Sequence, residues 1–275
     1  MNRVLPVLLL ISFCLSVKGQ SAFSVKDGYI YSNTVLYTDK ALDVESMIDT
    51  GCSLCLIDST FADTSGLNIL NDEKQVINGK KDGLQTCIVD SIEFCGKLYH
   101  KVPCLVADFR GIFLEYAPDF IVGGDILRDR PFKFNRTSMM IEPFAGKHEK
   151  GSIIMKWKDY KSEPDIPALF IMFEAIIDGQ KYNFAFDTGS KGNKLPIDIQ
   201  LEPTDTIQRE TADINNKLTV KQQKEYKNVN LRISSHNFEF DFFEGKKKFG
   251  LLSLDLVNGH SFILNYKDRT LEILQ

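Results

Sequence analysis

Two aspartates, Asp49 and Asp187, head the same tripeptide, Asp-Thr-Gly, in a chain of 275 residues. Each follows an apolar run, "SMI" before the first and "FAF" before the second. A strand ending in this tripeptide delivers a carboxylate to the tip of a tight turn. Thr50 and Thr188 can hydrogen-bond across to a matching loop, and Gly51 and Gly189 let backbone approach with no Cβ in the way. One such turn carries little information, because Asp and Gly are common turn residues anyway. Two carboxylates brought face to face are another matter: they cannot both ionise readily, so they share a proton and their titrations separate. The ionised member then takes a proton from water while the neutral one donates to a carbonyl oxygen. Asp49 and Asp187 are therefore the candidate catalytic pair, with Thr50, Gly51, Thr188, Gly189 and Ser190 as supporting loop residues.

The elements that must position these loops are themselves repeated. "NTVLYTDKALDVESMIDTG" reads as strand, turn at Asp39-Lys40, strand; "ALFIMFEAIIDGQKYNFAFDTG" reads the same way, with its turn at Asp178-Gly179. Downstream, "FIVGGDILRDRPFKFNRTSMMIE" matches "GLLSLDLVNGHSFILNYKDRTLEIL". Asp125 to Asp255, Asn135 to Asn265 and Glu142 to Glu272 are each 130 residues apart. A register kept over three landmarks marks an internal duplication. The strands are rich in Val, Ile, Phe, Tyr and Leu, and helical periodicity is rare. The clearest short helix is "DSTFADTSGL", with Asp58 or Ser59 as N-cap and Gly66 as its stop. Asp125 and Asp255 are expected to cap short helical turns rather than to catalyse. Phe238, Phe240 and Phe242 alternate as the core face of one strand. The expected architecture is all-β and bilobal: two duplicated β-barrel-like lobes related by a pseudo-twofold axis. A first lobe spans 20–146 and a linker plus second lobe spans 147–275, with the join between Phe144 and Pro167, where Ile153 to Trp157 forms a strand of its own.

Composition narrows the classes. Apolar residues at 43% and charged residues at 25% are those of a globular protein, and a formal charge of −4 argues against a nucleic-acid partner. The Lys246-Lys247-Lys248 run reads as a solvated turn. Residues 1–19 carry Arg3, an apolar stretch from Val4 to Val17, and small residues at 17 and 19. That is the pattern of a secretory signal peptide, so the expected location is secreted or periplasmic, with no stable membrane span. Phe13 before Cys14 argues against lipoprotein anchoring. Beyond it lie Cys52, Cys55, Cys87, Cys95 and Cys104, an odd number. Cys52 and Cys55 are expected on one strand, facing opposite ways, and strand alternation is expected to direct Cys52 away from Asp49. The histidines, at 100, 148, 236 and 260, show no metal-ligand spacing, so neither a metal nor a cofactor is expected.

With "MIDTGCS", "FAFDTGS" and the closing "FIVGGD", nearly the whole chain after residue 19 resembles a retropepsin-like aspartic peptidase with both lobes fused in one chain, as in pepsin-type enzymes. The resemblance implies that Asp49 and Asp187 are the catalytic pair and that Thr50 and Thr188 interlock beneath them. It also implies a peptide or protein substrate and a monomer built as an internal pseudo-dimer. Ser190 fits the pattern and is expected to bond its neighbouring carboxylate, whereas Cys52 departs from it. Ser253 stands where the pattern has Gly and is expected to loosen packing around the Asp187 loop. Flap candidates are 76–86 and 212–220, neither carrying the pepsin-type tyrosine. The implied activity is exported aspartic endopeptidase. The alternatives are a non-catalytic peptide-binding module using the same cleft, and an envelope protein with a vestigial cleft.

Overall fold

A computed structural model of the chain describes residues 19–67, 69–77, 80–163, 166–212 and 218–275. Residues 1–18, which hold most of the expected signal peptide, lie outside the described residues, as do 78–79 and 213–217 in the two flap candidates. The fold is almost entirely β and forms two barrel-like lobes. Among the described residues no helix is long and apolar enough to cross a membrane.

The lobes are built in the same order. The hairpin Tyr29–Tyr37/Ala41–Ile48 leads into the first Asp-Thr-Gly, and Ile166–Ile177/Gln180–Phe186 leads into the second. The second hairpin turns at Asp178 (φ 48°) and Gly179 (φ 79°), the pair of positive φ values that matches strand twist. After each loop comes a short strand, Cys55–Asp58 or Asn193–Lys194, and then a long hairpin, Ile69–Ile77/Lys80–Phe94 or Asp205–Ala212/Leu218–Ile233. The described parts of both flap candidates lie on the paired strands of these hairpins. A fourth strand follows, Lys97–Ala107 or His236–Phe243, with Phe238, Phe240 and Phe242 packed inward as expected. Each barrel closes at one place: Val35–Tyr37 pairs with Ser91–Glu93, and Ala175–Ile176 pairs with Arg232–Ile233. The helix Ser59–Thr64 is capped by Asp58, whose Oδ1 accepts from the Thr60 and Phe61 amides at 3.0 and 3.1 Å. Gly66 follows its end with φ 72°.

The inner strand of each lobe runs parallel to the strand that precedes its Asp-Thr-Gly loop. Ser46–Ile48 lies against Phe120–Val122, and Phe184–Phe186 against Gly250–Leu252, in the same register. Parallel neighbours buried on both faces need continuous apolar runs, which "FIV" and "GLL" supply.

The lobes join through one shared sheet. Its order is Ile153–Lys156, Thr270–Ile273, Phe262–Asn265, Phe132–Asn135, Met140–Pro143 and Ser21–Lys26. At its centre Phe262 opposes Phe134, Ile263 opposes Lys133 and Leu264 opposes Phe132. Shifted back by 130, those pairs become 132 with 134 and 133 with itself, so the pseudo-twofold axis passes through the Lys133–Ile263 pair. Phe134 and Phe262 stack across it at 4.4 Å.

The repeated landmarks have repeated jobs. Asn135 Oδ1 accepts from the Thr137 and Ser138 amides, and Asn265 Oδ1 from the Asp268 amide, so each closes its own final hairpin. Glu142 accepts from Gln20 Nε2 at 2.6 Å, tying down the first strand. Glu272, fully buried, accepts from Ser152 Oγ and the Glu149 amide and pairs with His148. Burial alone would raise its carboxyl, but these donors hold it below the usual range. The interlobe segment is thereby strapped to the sheet.

Candidate active site

The two Asp-Thr-Gly loops meet on the axis. The Asp49 amide donates to Val122 O at 3.1 Å and the Asp187 amide to Leu252 O at 2.9 Å, so each turn hangs from its parallel inner strand. Beneath the aspartates the threonines exchange bonds. The Thr50 amide donates to Thr188 Oγ1 and the Thr188 amide to Thr50 Oγ1, both at 3.1 Å. Thr50 Oγ1 donates to Phe186 O and Thr188 Oγ1 to Ile48 O, both at 2.8 Å. Each hydroxyl thus accepts and donates once across the axis, and both threonines are buried.

Gly51 and Gly189 keep the carboxylates together. Their amides bond their own aspartates, Asp49 Oδ1 at 2.7 Å and Asp187 Oδ1 at 3.0 Å. A Cβ on Gly51 would stand 2.4 Å from Asp187 Oδ1, and one on Gly189 would stand 2.4 Å from Asp49 Cγ. Each carboxylate therefore rests against the other lobe's glycine, in space that any side chain would fill. Asp49 is buried and Asp187 keeps an open edge. Burial, and next the Asp49 charge, push Asp187 up to about 7, against the opposing effect of Lys194, Lys247 and the Gly189 amide. One member of the pair is thus held protonated where ordinary carboxyls are ionised.

Three expectations about this site need correction. Cys52 lies in the loop before the strand Cys55–Asp58, and its Sγ donates to Asp49 Oδ2 at 3.0 Å rather than pointing away. The turn at Gly51 brings i+3 back over i, which strand alternation does not describe. Burial, then Asp49, raise the Cys52 thiol, which keeps it a protonated donor and a poor nucleophile. Ser190 Oγ donates to Gly192 O at 3.1 Å and makes no bond to Asp187. Asp125 and Asp255 lie inside the first turns that Gly123 and Ser253 open, so neither is the N-cap. Asp125 Oδ1 accepts from the Ile126 amide of its own turn at 3.0 Å, and both carboxylates also reach back to the short strands: Cys55 Sγ donates to Asp125 Oδ1 at 3.1 Å, and Asn193 Nδ2 to Asp255 Oδ2 at 3.3 Å.

Ser253 does not leave packing loose. In the first lobe a Cβ on Gly123 would strike Leu54 O at 2.3 Å. The second-lobe counterpart of Leu54 is Gly192, with φ 80°, so the backbone there follows a different course. Ser253 fills the space with a buried network. Its amide donates to Asn193 Oδ1 at 2.9 Å, while its Oγ donates to Asp255 Oδ2 at 2.9 Å and accepts from the Asp255 amide at 3.3 Å. Asn193 also donates to Asp241 O. Sequence reasoning passed over Asn193. Its only signal was position, 138 residues after Cys55, the spacing of the two Asp-Thr-Gly copies.

Among the described residues, then, the structure brings together Asp49, Thr50, Gly51, Thr188, Gly189 and Asp187, with Ser190 facing away from the carboxylates. No protein-family model matches this chain, and no curated protein matches it.

Proposed function

We propose that this protein is an aspartic endopeptidase, in which Asp49 and Asp187 activate a water molecule for attack on a peptide carbonyl. The observation that carries the reading is the mutual seating of each carboxylate on the other lobe's glycine, with Asp187 raised to about 7. One carboxylate then serves as base toward water while the proton on the other is donated to the carbonyl oxygen. The tetrahedral intermediate collapses when the carboxyl that took the water proton passes it to the leaving nitrogen and the other carboxylate takes a proton back from a hydroxyl of the intermediate, which returns the pair to its starting state. The threonine interlock holds both carboxylates without using their outer oxygens, and Cys52 supplies Asp49 with a neutral donor where a hydroxyl would stand. Cleft hairpins carrying the flap candidates are suited to covering an extended peptide. The substrate is a peptide or protein, the chain works as a monomer with an internal pseudo-dimer, and the segment 1–19 directs export.

The test is hydrolysis of a mixed peptide library by purified protein from acid to neutral pH, with Asp49→Asn and Asp187→Asn as controls. Cleavage abolished by either substitution is expected. Cleavage that survives both would overturn the reading, and peptide binding without cleavage would favour the binding-module alternative.

A further inference from the structure

The two lobes present equivalent walls to the carboxylates, and the walls differ in chemistry. In the first lobe Tyr31 opposes Met47, Met47 opposes Ile121, and Ile121 opposes Leu56. Directly opposed residues share a sheet face, and Met47 shares that face with Asp49, two positions on. The corresponding row in the second lobe runs Met172, Ala185, Leu251 and Lys194. Three positions are apolar in both rows. The fourth is Leu56 in one and Lys194 in the other.

The segments covering the rows diverge in the same sense. In the first lobe the chain between the fourth strand and the inner strand brings Phe109, Phe113 and Tyr116 onto the row. Tyr29 meets Phe113 edge to face at 5.6 Å, and Tyr31 donates to Tyr116 O. In the second lobe the equivalent connection is Glu244-Gly245-Lys246-Lys247-Lys248-Phe249. Phe249 packs on the row, 6.2 Å from Phe170, the counterpart of Tyr29. Lys247 Nζ lies 5.2 Å from the Phe249 ring centroid, and the lysine is exposed. The one carboxylate on this connection, Glu244, is engaged with Lys224 at 3.7 Å. Both Lys194 and Lys247 also act electrostatically on Asp187. The Lys246–Lys248 run is an exposed turn, as expected, and one that acts on the Asp187 site.

Resting on the peptidase reading, we propose that the substrate places a large apolar or aromatic side chain on the first-lobe wall and an Asp or Glu side chain on the second, between Lys194 and Lys247, on the two sides of the cleaved bond. The carboxylate gains charge-assisted bonds beside a part-apolar floor of Met172, Leu251 and Phe249. A basic side chain there meets two ammoniums and is rejected.

The experiment compares peptide pairs differing only in Glu against Gln at each position flanking the cleaved bond, at roughly pH 6, where peptide Glu is ionised. Wild type should favour Glu by about three- to tenfold in kcat/KM at one flanking position and a large apolar residue at the other. Lys194→Leu with Lys247→Ala should bring the Glu/Gln ratio near unity. Taking the ratio on one enzyme cancels any effect of the lost lysines on Asp187. Cleavage of both peptides with no Glu preference, or a preference that survives the double substitution, overturns the proposal. If no peptide is cleaved, the hydrolase reading fails, and fluorescence anisotropy of the same labelled Glu and Gln peptides on the intact protein decides the subsite: tighter Glu binding supports it and equal binding overturns it.

Discussion

At the scale of the residue, the proposed chemistry depends on one proton held between Asp49 and Asp187. Asp187 is raised from 3.8 to about 7, so the folded state binds more protons than the unfolded one between those values. Two outcomes follow from that sign. Activity should fall as pH rises through about 7, because the acid that donates to the carbonyl oxygen is lost; a kcat/KM profile flat to pH 9 would contradict it. Stability should fall over the same rise from about 4 to 7, since deprotonation leaves a buried charge beside Asp49. Asp187→Asn cannot ionise, so it should melt a few degrees above wild type at pH 8, with the gap closing at pH 4, while turnover drops about 10²–10⁴-fold. Scanning calorimetry at both pH values reads the first effect without needing activity. Cys52→Ser keeps a neutral donor beside Asp49 and should retain activity within a few-fold. Complete loss of turnover with the fold intact would point to a thiol mechanism instead.

At the scale of the element, loops are positioned by strands that other residues pin. Thr50→Ala or Thr188→Ala removes a hydroxyl that both donates and accepts across the axis, and leaves a buried amide without its partner. Each should cost about 2–4 kcal/mol in urea unfolding, with Thr→Ser at the same position close to wild type. Ser253 and Asn193 act more locally. Asn193 Oδ1 holds the Ser253 amide, next in sequence to Leu252, whose carbonyl holds the Asp187 amide. Ser253→Gly copies the first lobe's Gly123 but loses both Oγ bonds without gaining the Leu54 contact. It should destabilise by about 1–2 kcal/mol and lower kcat more than it raises KM. A neutral or stabilising outcome would show that the network does not support the loop.

At the scale of the whole molecule, the axis through Lys133 and Ile263 makes the central strand pairing self-complementary. Phe132–Asn135 of the first lobe could pair with its own copy in the same register, 132 with 134. Residues 20–146 expressed alone should therefore form a dimer by analytical ultracentrifugation, since a monomer would expose that strand edge and half of the threonine interlock. A monodisperse folded monomer would count against this. The duplication thus explains why the chain resembles a dimer made covalent: asymmetry between the halves, as in Leu56 against Lys194, becomes possible only once one chain carries both.

The sequence by itself determined the all-β, two-lobed organisation and which two aspartates the fold brings together. Those rest on local, repeated signals: apolar runs of period two, turns at Asp-Gly, and a spacing of 130 residues kept over Asp125–Asp255, Asn135–Asn265 and Glu142–Glu272. It also narrowed the helix cap to Asp58 or Ser59, since an N-cap involves only neighbours in the chain, and the structure settles on Asp58. What it misassigned lies in contacts between residues far apart in sequence or around a turn. Cys52 reaches Asp49 because the Gly51 turn folds the loop back on itself, whereas alternation holds only in an extended strand. Besides a bond within each helical turn, Asp125 and Asp255 reach the short strands at Cys55 and Asn193, because those strands are brought alongside by sheet pairing. Ser253 in place of Gly could not be judged until Gly192 and Asn193 were beside it. The wall chemistry was decided in the same way: strand register aligns Lys194 with Leu251, while Lys247 comes from the connection after the fourth strand, and only the folded chain lets both act electrostatically on Asp187. Propensity and pattern act over a few residues, while electrostatic and steric neighbours are assigned by the packing of the complete chain.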